Sequence, residues 1–400
     1  MTILTISIDQ LETGMYIVEL DRSWLETPFF KHRFEIQAGD VEKLRQSRVR
    51  EVKIDTSKGK APAPVTVAAA PAEVPKAPAA PLSQAEALKQ AVALRRGLRD
   101  TMDRLVIAAR EDQPLELQSI EGHVEAIGDS LQRDPQSILH LVLTHKQGQA
   151  FNHHIFNTLA LTLLLAEHME LGDHAKTLGQ AAIIKDIGWA LLPPGAFDHP
   201  AVTDQERALL QRHVPLGVDL LRRSSANPEI IDLVEQHHER MDASGFPEGL
   251  GSDELHPLLP PLILADQYGL MLQGVCGESR FIPSEALRVL YGVAMKAGRF
   301  PVKAVEALIR AVGIYPVHSA VLLNTGERGV VTKVDWRHPL KPTVSMRYNA
   351  RQMPLSRPYL VDLGKPKEGE PDRKIQRTLN PTVRGEDPAQ LLMVLDGVLD

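Results

Sequence analysis

The sequence predicts a mainly α protein with a small N-terminal α/β domain and a small C-terminal β appendage. Three observations carry that expectation. Helical spacing and helix-start signals repeat from Ser83 to about Pro316 with no convincing strand between them. An Ala/Pro-rich stretch separates this region from the first 57 residues. After Pro316 the apolar period shortens to that of strands.

Residues 1–57 read as the small α/β domain. Ile3–Ile8 and Tyr16–Leu20 have strand composition on either side of a Glu12-Thr13-Gly14 turn, and Val49–Ile54 reads as another strand. Asp40 is placed to cap a helix through Val41 and Leu44. Residues 58–82 are the linker, with prolines at 62, 64, 71, 75, 78 and 81, a composition that builds no core and favours semi-extended chain. Residues 83–316 are the helical domain. Ser83-Gln-Ala-Glu86 is a capping box opening a long helix. Its stripe of Leu88, Val92, Leu98, Met102 and Leu105 reads as packing within its own domain, because Gly97 interrupts the pattern a dimer coiled coil would need. A homodimer through this helix is the alternative. Thr203-Asp-Gln-Glu206 is a second capping box, and Asn227-Pro228-Glu229 starts a helix that should end near His237-His238. Residues 317–364 form the β appendage, with strands at Val321–Leu323, Val330–Val334, Val344–Tyr348 and Tyr359–Leu363. Residues 365–400 read as a mobile tail with a short helix at Gln390–Leu399.

Composition narrows the function. Apolar content of 43% and charged content of 24% are those of a globular chain. A formal charge of -6 argues against a DNA or RNA partner. Cys276 is the single cysteine, which excludes an intramolecular disulfide and fits the cytoplasm. No apolar run reaches the length of a membrane span, and the N-terminus lacks the basic flank and apolar run of a signal peptide.

The chemistry sits in a scatter of His154, Asp186, His213, His237, His238 and Asp266 within the helical region. Imidazoles and carboxylates without thiolates suit iron, manganese, nickel or zinc. A lone histidine on a helix is more often a surface or core residue than a ligand, so the order of the motifs decides. The segments HHIFNTLALTLLLAEHMEL, AAIIKDIGWALLP, QRHVPLGVDLL, HHERMDASGFP and LILADQYGLM resemble, in that order, the motifs of the HD-GYP family. The fourth is similar to its HHExxDGxGYP signature, and Arg280 matches an arginine that follows. LETGMYIVELDRSWLETPFF resembles the small domain that often precedes HD-GYP, and HSAVLLNTGERGVV resembles the usual C-terminal extension.

The resemblance implies an HD-superfamily helical core and hydrolysis of cyclic di-GMP to the linear dinucleotide or GMP in bacterial signalling. It implies a divalent metal, iron or manganese, as one or two ions or none. Asp186 would bridge the ions, and His154, His213, His237, His238 and Asp266 would be terminal ligands. Asp186 and Lys185 then fall at the catalytic position. Arg240, Asp242, Gly245, Phe246, Pro247 and Arg280 would shape the substrate site. Diguanylate cyclases of the GGDEF type are the implied protein partners. His140, His145, His168, His174 and His199 match no family position and read as surface or helix-face residues.

This sequence departs from the pattern at its centre. Lys185 stands where the family has the first histidine of the HD pair. An ordinary ammonium offers three donors and no lone pair, so it does not ligate. Trp189 replaces a lysine, Ala243 and Phe246 replace the glycine and tyrosine of the signature, Gly269 replaces a second aspartate, and Ala150 stands where trinuclear members carry a glutamate. Three expectations follow: slow turnover, cyclic di-GMP binding without hydrolysis, or a protein-interaction module. A Lys185 that simply faces solvent is the bland alternative.

Overall fold

A computed structural model of the chain describes residues 3–20, 34–47, 49–60, 84–142, 150–198, 203–276, 280–335, 338–366 and 369–379. The chain divides into two units, Met1–Pro78 and Ala79–Asp400.

The first unit is an antiparallel sheet of β1 (Ile3–Ser7), β2 (Tyr16–Leu20), β3 (Phe34–Glu35) and β4 (Glu51–Asp55), in the order β1-β4-β2-β3, with helix α1 (Asp40–Gln46). Alternation turns Ile6, Ile17, Val52 and Ile54 into one core with Ile36 and Leu44. Asp40 is the first helical residue, not the cap. Gly39 holds the cap position, and the Asp40 carboxylate accepts from the Gln37 N–H (3.0 Å) and the Lys43 ammonium (3.1 Å).

The second unit begins with α2 (Gln84–Arg110), which runs unbroken through Gly97. Leu88, Leu98, Met102 and Leu105 are buried in the core of this unit, so the stripe packs within its own domain. Ser83, the linker from residue 61 and the Gln390–Leu399 segment lie outside the described residues. Nine α-helices follow next among the described residues: α3 (Glu121–Arg133), α4 (Pro135–Val142), α5 (Ala150–His168), α6 (Ala175–Ile184), α7 (Asp204–Gln211), α8 (His213–Arg223), α9 (Pro228–Gln236), α10 (Leu259–Gln273) and α11 (Pro283–Ala297). A further helix, α12 (Val302–Val312), closes the bundle. At the centre α5 packs against α10. Every residue of α5 from His153 to Ala166 is buried, the polar His153, His154, Asn157, Thr158 and Thr162 included, as befits a helix surrounded by others. Among the described residues no helix is long and apolar enough to cross a membrane.

The C-terminal strands β5 (Ala320–Leu323), β6 (Arg328–Lys333), β7 (Thr343–Tyr348), β8 (Pro354–Asp362) and β9 (Ile375–Leu379) make an antiparallel sheet in the order β8-β7-β6-β5-β9. At its own residues the β9 strand corrects the reading of residues 365–400 as a mobile tail, since it pairs with β5 from Ala320↔Leu379 onward, while residues 380–400 lie outside the described residues. Val321, Leu323, Val331, Val344 and Met346 belong to the same apolar core as the helices, so this sheet is joined to the bundle. His140 is buried rather than exposed, and it forms part of the seam. Its Nε2–H donates to the Thr332 carbonyl (3.1 Å), and its Nδ1 lies 2.7 Å from His318 Nε2. His145 and His199 lie outside the described residues.

Candidate metal centre

Five helix ends and faces deliver the residues that the sequence singled out. His154 lies on α5 and Asp266 on the facing α10. Lys185 and Asp186 follow α6, where the chain tightens into a short 3-10 turn at Ile187–Leu191. That turn can lie on α8 because of Gly188. A Cβ there would sit 1.9 Å from the His213 carbonyl oxygen and 2.7 Å from Gly217 N. The close approach sets Asp186 beside His213, the first residue of α8. Asn227 caps α9 by accepting from the Glu229 N–H (3.0 Å), and the helix then ends at Gln236, leaving His237 and His238 just beyond it.

These side chains form two adjoining clusters. In the first, Asp186, His213, His237 and His238 each offer a ligand atom, all within 4.8 Å of one another. His213 and His237 donate Nδ1–H to the carbonyls of Leu210 and Val234. Their Nε2 lone pairs therefore face inward, 3.4 Å apart, with His238 Nε2 3.2 Å from His213 Nε2. The bare Nε2 atoms of His213 and His237, each ring oriented by a backbone carbonyl, converge with His238 on a carboxylate and suit a borderline divalent ion. The second cluster is His154, Asp186 and Asp266, and here the fit fails. Lys185, fully buried, bonds Asp186 Oδ2, lies 2.6 Å from Asp266 Oδ1 and 3.1 Å from His154 Nε2. His154 Nε2 is itself 2.8 Å from Asp266 Oδ1. N–H donors occupy the lone pairs that an ion would need. The reading of Lys185 as a solvent-facing residue is overturned.

The electrostatics separate the clusters further. Burial pushes the His213 pKa down to about 4, and burial with the neighbouring His237 holds His238 well below its ordinary value. Both are neutral at pH 7, as a ligand must be. Burial favours neutral Lys185, but the carboxylates of Asp186 and Asp266 outweigh it and raise the lysine pKa. Burial likewise favours protonated Asp186 and Asp266, yet the Lys185 ammonium and His154 hold both well below the usual carboxylate range. His154 is raised, because hydrogen bonds to Asp186 and Asp266 exceed the effects of burial and Lys185.

The signature loop is anchored by a residue that sequence reasoning passed over. The Glu239 carboxylate, fully buried, accepts the backbone N–H groups of Glu248 (2.8 Å), Gly249 (3.0 Å) and Leu250 (3.0 Å). It is the glutamate of the HHE triplet, so the signal was present in the motif. Gly245 lets the loop close on that segment, since a Cβ would lie 2.4 Å from Glu239 Cα and 2.6 Å from Arg240 N. Phe246 stacks on His238 at 4.5 Å between ring centroids. Ala243 adopts φ 58°, the left-handed conformation that suits glycine.

The cavity over the first cluster measures about 180 Å³ and is lined by Trp189, Phe246 and Arg240 among others. Arg240 is held by the Glu239 carbonyl (2.8 Å) and Gln267 Oε1 (2.9 Å), over the Phe300 ring. Trp189 donates its indole N–H to Asp186 Oδ1 (3.2 Å) and stacks on His213. Four expected substrate residues, Asp242, Gly245, Pro247 and Arg280, do not line this cavity. Asp242 instead receives Ser244 (2.5 Å) and Arg299 (3.3 Å), Pro247 turns the loop, and Arg280 is exposed against Gly274. Arg207, which lines the cavity from α7, carries no motif that could have marked it. Gly269 faces His154: its Cβ would be 3.3 Å from Nδ1, a buried nitrogen with no hydrogen-bond partner among the described residues.

Two family models match the chain, a domain of unknown function (DUF3391) over residues 3–120 and an HD domain over residues 132–297. A cyclic di-GMP phosphodiesterase of Pseudomonas aeruginosa is 32% identical over 381 residues, 92% of this chain and 90% of that protein. The cyclic di-GMP phosphodiesterase response regulator RpfG of Xanthomonas campestris pv. campestris is 29% identical over 154 residues, 37% of this chain and 39% of that one. Among solved structures, an HDG"Y"P protein from Bdellovibrio bacteriovorus aligns with a TM-score of 0.47 at 13% identity, covering 77% of this chain and 98% of that chain.

Proposed function

Because this chain belongs to the HD-GYP group of the HD-domain family, we propose that it is a metal-dependent phosphodiesterase of cyclic di-GMP with weakened turnover. One observation carries the reading: Asp186, His213, His237 and His238 converge within 4.8 Å, in a buried pocket, with His213 and His238 held neutral by burial. Iron or manganese is the ion these ligands would hold. When bound, such an ion activates water and neutralises charge on a phosphodiester.

The chain's own groups supply the rest. Arg240, fixed on two sides, presents a guanidinium to a phosphate oxygen. Phe246 and Trp189 flank the histidines with flat apolar surface and keep water from them. A cavity of about 180 Å³ is smaller than the ~300–1,000 Å³ that encloses a drug-sized ligand. The scissile phosphate therefore enters while the rest of the dinucleotide lies across the mouth, near Arg207. Weakened turnover follows from Lys185, which fills a position of the metal-ligating pattern without ligating.

The test is chromatographic detection of linear dinucleotide from cyclic di-GMP with the Mn²⁺-loaded full chain. Slow release that chelation abolishes and His213→Ala lowers at least ~100-fold supports the reading. The absence of both binding and cleavage would contradict it. Saturable binding without product is the second reading, favoured by the Trp189 indole seated on Asp186. Capture of a GGDEF-type diguanylate cyclase by the full chain tests the proposed protein partner.

A further inference from the structure

We infer that Lys185 is a built-in substitute for one metal ion, so that the chain carries a single divalent ion, held by Asp186, His213, His237 and His238. The inference rests on the metal-centre reading above and goes beyond it by assigning the number of ions and the identity of the second cation. The ammonium occupies the middle of the second cluster. It bonds Asp186 Oδ2, sits 2.6 Å from Asp266 Oδ1 and lies 3.1 Å from His154 Nε2, all three being atoms that would otherwise ligate. An ion would have to approach those atoms to ~2.0–2.2 Å and so would meet the ammonium at contact distance. The lysine is wholly buried, within a packed cluster, so displacing it toward solvent would require opening the core.

Asp186 joins the two positions. Its Oδ2 faces Lys185, while its Oδ1 lies 3.6 Å from both His213 Nε2 and His237 Nε2. The same carboxylate thus spans an ammonium on one side and an open set of imidazoles on the other. On the Lys185 side, Asp266 Oδ2 is buried, has no hydrogen-bond partner among the described residues and lies 3.8 Å from His238 Nδ1. Trp189 adds a neutral donor to Asp186 Oδ1 from a position the family pattern gives to lysine, so its own contribution brings no charge. With an ammonium in place of a dication, the centre holds less positive charge against the phosphodiester than two ions would provide.

The experiment is metal analysis of the full chain reconstituted with Mn²⁺ and desalted, alongside Lys185→His, with electron paramagnetic resonance on both. One Mn²⁺ per wild-type chain with the spectrum of an isolated ion, and two spin-coupled ions in Lys185→His, is the expected result. Two coupled ions in the wild type overturn the inference and leave the phosphodiesterase reading standing. A Lys185→His chain that still holds one ion also overturns it, since the lysine would then not be what excludes the second. No ion in the wild type removes both readings. Should Lys185→His fail to fold, the wild-type spectrum alone decides between an isolated ion and a coupled pair.

Discussion

Lys185 is the residue on which the centre turns. Taking an ammonium out of water costs several kcal/mol, and in this fold the loss is offset by two carboxylates that need a cation as much as the lysine needs anions. Removing the lysine strands them. Lys185→Met is expected to destabilise the metal-free protein by about 3–5 kcal/mol, read from urea unfolding in chelator. Added Mn²⁺ should recover part of that loss, because a ligand that binds only the folded state stabilises it. An unchanged midpoint would mean that the ammonium is not balancing Asp186 and Asp266. Ala243 offers a smaller test. At φ 58° an alanine is strained, so Ala243→Gly is expected to raise stability by about 1 kcal/mol, a shift of ~2–4 °C in Tm. The departure of Lys185 was legible in the sequence. Its direction was not, because whether a lysine after α6 turns inward depends on the close crossing at Gly188, a contact between segments far apart in the chain.

At the scale of elements, the signature loop depends on Glu239. Three backbone N–H groups converge on one buried carboxylate, and hydrogen bonds to a charged acceptor are worth ~1.5–3 kcal/mol each. Glu239→Gln retains one acceptor oxygen and leaves an N–H group of the loop unmatched. A loss of about 2–3 kcal/mol is expected by thermal unfolding, with faster amide exchange at residues 248–250; protection equal to wild type would contradict the role. Gly245→Ala should cost ~1–3 kcal/mol through overpacking, because the atoms its Cβ would meet are backbone. Helix starts were the most legible elements. Thr203 and Asn227 cap where their residue types indicated, since a cap is a local hydrogen bond written within four residues. The β9 strand was not legible. IQRTL has little alternation and sits among charges, and its strand state is imposed by pairing with β5 some fifty residues earlier.

At the scale of the whole molecule, the boundaries of cores and of family models differ. The match to the domain of unknown function runs to residue 120, yet α2 within that span buries Leu98, Met102 and Leu105 in the core of the helical unit. A chain beginning at residue 83 should keep the helical melting transition and the ion. One beginning at residue 121 should lose both, because those three side chains alone contribute on the order of 5 kcal/mol, comparable to a domain's whole stability. Circular dichroism melts of the two fragments check this. The ordered motifs from His154 to Asp266 made the fold and most of the candidate centre legible, since each is a short segment with its own chemistry. Arg280 and Asp242 were placed by motif position alone, and the structure sends one to the surface and the other to Arg299. The proposed centre takes cyclic di-GMP with one ion and a lysine. Turnover of cyclic di-GMP by Mn²⁺-loaded wild type and Lys185→His, measured side by side with ions counted per chain, tests it most directly. Slow, chelator-sensitive release of linear dinucleotide at one ion per chain, accelerated in the two-ion variant, is the predicted result. Wild type that turns over as fast as the variant with two ions of its own, or a two-ion variant that neither binds nor cleaves, would contradict it.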